Sequence, residues 1–369
     1  MRLRHHSGRV VHLSHGTTYL RPARDLHTLV NQLDTYASAV RGRLGVDTLG
    51  VSLWLPPILA AALAVEGRAR TRLRNELLAR GLEVVTLSGV SYAEGGGEAP
   101  DWSSPARLEY TLDLARILVD LLPDDAVRGA VTTVGLGRRT GWDTGKEKAS
   151  ARILGRLSAG LAEVAWQTGR AVRVGFQPEP GYVLDSAAAT VAALAPYDKE
   201  RLGVSLDLAG LACTWQEPAD AIDTLTKAGL SIIRAQLTAA VEVGHPVAAA
   251  ETLRAYVEAE HPHQVTNPAG AYLDDLADAL RDFPPGPWRI RYPIALPDAP
   301  EPPLTATADV WRAALRHLMG ADQPYTEYLD VPAPAGDGVD QVAAGLAYAK
   351  NELADLGLSP PAEACALPR

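Results

Sequence analysis

Two carboxylates stand where short apolar runs end. Glu179 lies in QPEPG, directly after the run AVRVGFQ, with a proline on each side to stiffen the turn. Asp207 ends the run LGVSLD. Carboxylates at successive strand ends suit an acid/base pair or a pair of ligands for a hard cation. The plainer alternatives are a surface loop carboxylate for Glu179 and a helix N-cap for Asp207. Other polar residues end similar runs: Ser14 and His15, Thr132 and Thr133, Gln177, Gln236, and Arg289, Arg291 and Tyr292. His15 follows a run and precedes a glycine. His263 lies in HPHQV beside His261, a pair that invites a metal reading, with solvated or capping histidines as the alternative. Arg291 and Tyr292 suit an anion or a carbonyl, and a buried ion pair is the other role for the arginine. Trp54 and Trp215 read as pocket wall or as core. Cys213 reads as a thiol at the mouth of the site or as a small buried residue.

These residues need elements to hold them. Apolar runs at 9–14, 49–55, 82–88, 129–134, 171–177, 202–207, 231–237 and 288–294 are rich in Val, Leu and Ile and bounded by Gly, Asp or Pro. Helical patterns lie between them at 25–43, 69–79, 105–122, 149–169 and 219–228. Gly81, Gly169 and Gly229 each separate a helix from the next run. Helix, glycine, strand in repetition is the logic of parallel strands joined by covering helices. Eight units predict a closed (β/α)₈ barrel, class α/β, with its site at the C-terminal ends of the strands. A doubly wound open sheet is the second reading, but no glycine-rich phosphate loop follows the first run. The whole chain, 1–369, reads as a single domain. The barrel spans about 9–320, and a loop-and-helix extension follows over 321–369, with helices at 306–319 and 341–356.

Composition narrows the function. With 35 Lys and Arg against 44 Asp and Glu, the net charge is −9. Such a balance opposes broad nucleic-acid binding, which needs a basic stripe. The basic stretch at 68–80 reads as the solvated face of a helix. Two cysteines give no disulfide framework and no cysteine zinc site. The basic N-terminus lacks the apolar run of a signal peptide, and no stretch is long and apolar enough to span a bilayer. The expectation is a cytoplasmic protein with a small-molecule substrate and neither nucleic acid nor membrane as partner. A homodimer stays open, although no apolar surface stripe stands out. Neither a GxSxG elbow nor a Cys/His nucleophile context is present.

A family resemblance rests on named blocks. Residues 12–17, 99–112 (APDWSSPARLEYTL), 176–184 (FQPEPGYVL), 202–207, 235–238 (AQLT), His263–Gln264 and 288–293 together resemble the EboE group of metabolite-traffic proteins, within the xylose isomerase-like TIM barrels. PDW followed by RLxYTL is the most specific block. The resemblance implies a metal site from which this chain departs. Where relatives read CTNxH, it has Gly16-Thr17-Thr18-Tyr19-Leu20. The loop before PDW is shortened to 92–98. Gln177 replaces the first Glu of Glu-Pro-Glu-Pro-Gly, and Gly210 stands where a His follows the Asp. Arg291 and Pro293 replace the HxH of the last strand. Glu179, Asp207 and His263 are what remains of the implied set. A guanidinium at 291 would place a fixed cation where a metal charge would sit.

The expected function is therefore a metal-independent barrel enzyme of specialised metabolism. It would move a proton next to a carbonyl on a sugar- or cyclitol-like molecule, by isomerisation, epimerisation or elimination. Glu179 or Asp207 would be the base and His15 or His263 the acid/base partner. Arg291 and Tyr292 would stabilise charge, and Gln177, Gln236 and Trp54 would line the pocket. The alternatives are a binding or traffic protein without turnover, and a divalent-metal isomerase with a rearranged ligand set.

Overall fold

The computed structural model describes residues 1–17, 22–91, 99–258, 262–282, 284–332 and 338–361. Thr18, Tyr19, Leu20, the loop 92–98, His261 and Cys365 lie outside the described residues. The strands, in chain order, are β1 (Arg2–Arg4), β2 (Val10–Gly16), β3 (Leu49–Trp54), β4 (Leu82–Ser88), β5 (Arg128–Val134), β6 (Ala171–Gln177), β7 (Leu202–Asp207), β8 (Ile232–Gln236), β9 (Ala239–Val243), β10 (Val265–Thr266), β11 (Tyr272–Leu273), β12 (Trp288–Ile294), β13 (Thr305–Ala306) and β14 (Tyr328–Pro332). From β2 to β8 the strands pair in parallel in sequence order. β14 then joins β8 to β2 and closes an eight-stranded barrel. β1 adds antiparallel to the outside of β2.

Helices cover the barrel where their end signals predict. Asp25 caps Leu26–Gln32, Ser104 caps a helix that opens with Pro105, and Gly169 ends Thr144–Thr168 with φ +69°. The first predicted helix is interrupted by a π-helical turn over Leu33–Ser38. Among the described residues no helix is long and apolar enough to cross a membrane.

The eighth barrel strand is not where the sequence pattern places it. Trp288–Ile294 belongs to a separate antiparallel sheet, ordered β11-β10-β12-β9-β13, inserted between β8 and β14. The true eighth strand, YLDVP, lies inside the stretch read as extension. Its single ladder turn and flanking prolines hide it. Register divides the insert into two faces. Val241, Val265 and Ile290 align on one and form a core of the insert, whereas Glu242, Thr266 and Arg289 align on the other.

Strand alternation also decides what fills the barrel. Register aligns Ser14 with Asp330, Asp330 with Gln236, Arg234 with Ser205, and Thr132 with Gly175. These residues point inward, together with Ser52 and Thr86. The interior layer is thus small and polar, which leaves room for a guanidinium. Arg234 forms a bidentate pair with Asp330 and donates to Thr132 Oγ1 at 3.1 Å and Gln236 Oε1 at 3.2 Å. Gly16 faces this pair, since a Cβ there would lie 2.9 Å from Asp330 Oδ2. The aliphatic residues between, such as Val51, Leu53, Val131 and Val174, face the helices and are buried.

His15 has the parity of that outer layer. It is fully buried, stacks on Tyr36 of the π-helical turn at 5.7 Å, and does not face the barrel mouth. Neither ring nitrogen has a hydrogen-bond partner within the described residues. Burial pulls its pKa from 6.5 down to about 4, opposed only by the Val331 backbone. Between those values the unfolded chain binds the proton and the folded chain does not, so stability falls as pH drops from about 6.5 to about 4. The loss should reach roughly 3 kcal/mol. Urea unfolding at pH 7 and pH 5 should register about 2 kcal/mol of it, and His15→Phe should flatten the difference. A second expectation concerns the interior pair. Asp330→Ala strands the buried Arg234 and should cost about 3–5 kcal/mol, whereas the double replacement Arg234→Met with Asp330→Leu should recover most of it. Equal losses for the single and double variants would refute this account.

Candidate active site

The turn after β6 carries Glu179 back over the barrel mouth. Its backbone N–H donates to the Leu184 carbonyl at 2.8 Å, and its carbonyl accepts from Tyr182 N–H at 3.1 Å, so the turn is closed on itself. Glu179 is 3 % exposed. Gln177, the last residue of β6, donates its amide to Glu179 Oε1. Arg291 Nη2 reaches the same oxygen at 2.6 Å. Oε2 accepts no hydrogen bond from the described residues. Glu179 therefore has one oxygen held and one without a partner among the described residues. Burial raises its pKa most, Arg291 opposes this, and the nearby Asp207 adds to the rise.

Asp207 ends β7 and is occupied on both oxygens. Oδ1 accepts from Thr238 Oγ1 and from Ala209 N–H at 3.2 Å, so it caps the helix Leu208–Cys213. Oδ2 accepts from Arg291 Nη2 at 2.8 Å and Nε at 3.1 Å. Asp207 is thus the helix cap that its alternative reading expects, and at the same time an ion-pair partner of Arg291.

Arg291 comes from the insert and not from a barrel strand. The β9–β12 ladder is irregular between Ile290 and Ile294, beside Pro293, and such irregularities re-aim side chains. Arg291 N–H donates to the Gln264 carbonyl at 2.8 Å. Gly210 lies nearby, where an added Cβ would be in ordinary van der Waals contact, 3.5 Å from Asp207 Oδ2 and 3.7 Å from Arg291 Nε. The arginine covers the two carboxylates, with its side chain 24 % exposed.

The other predicted residues divide. Gln236 faces the mouth and accepts from Arg234. Trp54 ends β3 on the inward parity, with Nε1 donating to the Ser91 carbonyl at 3.0 Å. His263 and Tyr292 fall on the parity opposite to Gln264 and Arg291. Their rings pack together at 4.7 Å, and His263 Nδ1 lies 3.2 Å from the Arg291 carbonyl. The structure therefore removes His15, His263 and Tyr292 from the mouth, because each is one residue out of phase with it. Cys213 is buried, and burial pushes its thiol up to about 12, so it is a small core residue. Trp215 braces the insert: its Nε1 donates to Thr266 Oγ1 at 3.1 Å, and the Arg289 guanidinium lies 4.0 Å over its ring. The sequence reading missed Thr238, Gln264, Arg234 and Asp330. Strand alternation in the run 231–237 would have found Arg234, whereas Asp330 lies in the strand that the pattern did not reveal.

The divalent-metal site implied by the resemblance can be tested on these donors. Arg291 already lies on both carboxylates, and among the described residues no three His, Cys, Asp or Glu side chains converge on one point. This donor set does not fit a divalent cation.

No protein-family model matches the sequence, and no curated protein does. Solved structures do match. A xylose isomerase-like TIM barrel protein from Mycobacterium smegmatis, in complex with magnesium, gives a TM-score of 0.56 at 13% identity, covering 94% of this chain and 97% of its own. D-psicose 3-epimerase from Clostridium cellulolyticum H10, solved with D-tagatose, gives 0.51 at 13% identity, covering 92% and 99%. A D-tagatose 3-epimerase-like protein gives 0.50 at 11% identity, covering 84% and 89%. At these identities the likeness is one of fold: this chain is a closed, eight-stranded parallel barrel, as the matched TIM barrel structures are.

Proposed function

We propose that this chain is a sugar-modifying enzyme that transfers a proton next to a carbonyl without a divalent metal. Its substrate is a small sugar- or cyclitol-like molecule, and the reaction is an isomerisation, epimerisation or elimination. One observation carries the reading: the buried Glu179 carboxyl has one oxygen fixed by Gln177 and Arg291 and the other without a partner among the described residues. A desolvated carboxyl with a raised pKa works closer to neutral pH as acid or base. Glu179 Oε2 takes the proton from the carbon next to the carbonyl and returns it. Arg291 stabilises the enolate oxygen as charge develops. Asp207 holds Arg291 in place, itself fixed by Thr238 and the Ala209 N–H. Gln236 and Trp54 shape the pocket. The sugar epimerase fold of the neighbours supports the substrate class, and the EboE-like blocks support a place in specialised metabolism.

A binding or traffic role without turnover is the second reading. The closure of Arg291 over Glu179 favours it, since a carrier has to shield its cargo and needs no open base. Proton exchange separates the two. In deuterated water the wild-type protein should wash deuterium into the carbon next to the carbonyl of a bound ketose. Glu179→Gln should lower that rate by about 10²–10⁴-fold while leaving the dissociation constant within a few-fold. Binding with no exchange in the wild type assigns the carrier role.

A further inference from the structure

The charges at the barrel mouth do not balance. Among the described residues, Glu179, Asp207 and Asp330 bring three carboxylates, against the guanidiniums of Arg291 and Arg234. All three carboxylates are buried, which leaves one uncompensated negative charge in a low-dielectric place. Neighbouring cations are already used: Arg138 pairs with Asp274, and Arg289 with Glu242 at 2.7 Å. The protonated form of both Glu179 and Asp330 is favoured by burial and by the charge of Asp207, as expected of a cluster short of one cation.

A second feature points to a ligand. Gln264 is 6 % exposed, and its Nε2 donates to the Pro180 carbonyl at 3.1 Å. That carbonyl only accepts, so the amide cannot be turned round. Its Oε1 is left buried with no hydrogen-bond partner among the described residues. Register sets Gln264 opposite Arg291, on the face of the insert turned to the mouth, and Pro180 directly follows Glu179. Buried acceptors are rarely left unused in native proteins.

We propose that the molecule bound here carries an ammonium group, as a protonated amino sugar or aminocyclitol does, with that group on Gln264 Oε1 in the field of Glu179 and Asp207. A neutral polyol would supply donors but not the missing charge. A sugar acid or sugar phosphate would add to the excess. The bound cation also keeps Glu179 ionised, which is the form that accepts a proton, so the inference rests on the function proposed above and sharpens its substrate class.

Titration calorimetry of the whole protein near neutral pH, with matched probes, tests this. The pairs are D-glucosamine with D-glucose and scyllo-inosamine with scyllo-inositol, and D-gluconate and magnesium chloride serve as controls. The aminated member of at least one pair should bind about tenfold tighter or more. Gln264→Leu should erase that preference with an unchanged circular dichroism spectrum. Equal binding within both pairs, preference for gluconate, saturable magnesium binding in place of the amine, or no binding by either amine overturns the proposal. Neutral sugars that bind and exchange a proton while amines gain nothing overturn the ammonium alone and leave the proton-transfer reading standing. Failure of both kinds of sugar removes both.

Discussion

One guanidinium ties together three parts of the molecule that are built independently. Arg291 belongs to the inserted sheet, Glu179 to the turn after β6, and Asp207 to the end of β7. None of these positions could hold its charge alone, because an unpaired buried charge is far more costly than a paired one. The supporting details follow from this need. Asp207 spends its other oxygen on Thr238 and a helix N-terminus. Arg291 is held in the insert by its backbone N–H, which donates to the Gln264 carbonyl. The mouth is therefore organised from the insert downward as much as from the barrel upward.

The barrel below it is arranged in an unusual order of polarity. Its apolar layer lies outside the strands, against the helices, where Val51, Leu53, Val131 and Val174 pack. Its interior is small and polar and is filled by the Arg234–Asp330 pair. Barrels of this type are more often filled by branched aliphatic side chains. Glycines and serines on the inward parity supply the volume for the pair, and Thr132 and Gln236 satisfy its remaining donors. The charge of Asp207 also adds to the upward shift that burial gives Asp330, so the interior pair and the mouth are electrostatically linked.

The strands were legible because each carries Val or Leu on one parity and Ser, Thr or Gly on the other. Seven of the eight predicted runs are barrel strands. The eighth failed for two physical reasons. WRIRYPI has the composition of a strand but pairs antiparallel, which composition does not encode. YLDVP is a buried parallel strand, but only five residues long and followed at once by proline and alanine. Among site residues, Glu179 and Asp207 were legible from position alone, at strand ends. Arg291 was legible by type although its element was misassigned. His15, His263 and Tyr292 were misplaced by one residue each. Period-two alternation relative to Ser14, Gln264 and Arg291 puts them on the opposite side. Gln264 was not legible, because its role depends on an inter-strand register that only the fold supplies.

Holding two carboxylates with an arginine has consequences for the chemistry. A guanidinium brings one positive charge, spread over a plane, and keeps it at every working pH. It neutralises one carboxylate fully and leaves the second dependent on protonation or on whatever enters the site. Asp207 has both oxygens occupied and receives two guanidinium hydrogen bonds, whereas Glu179 meets the guanidinium through one nitrogen, so the deficit falls on Glu179. The group that stays under-compensated is thus the one with an open oxygen. The uneven sharing of Arg291 between its two partners, set by Thr238 on one side and by the QPEPG turn on the other, leaves one carboxylate bonded on both oxygens and the other with one oxygen open among the described residues.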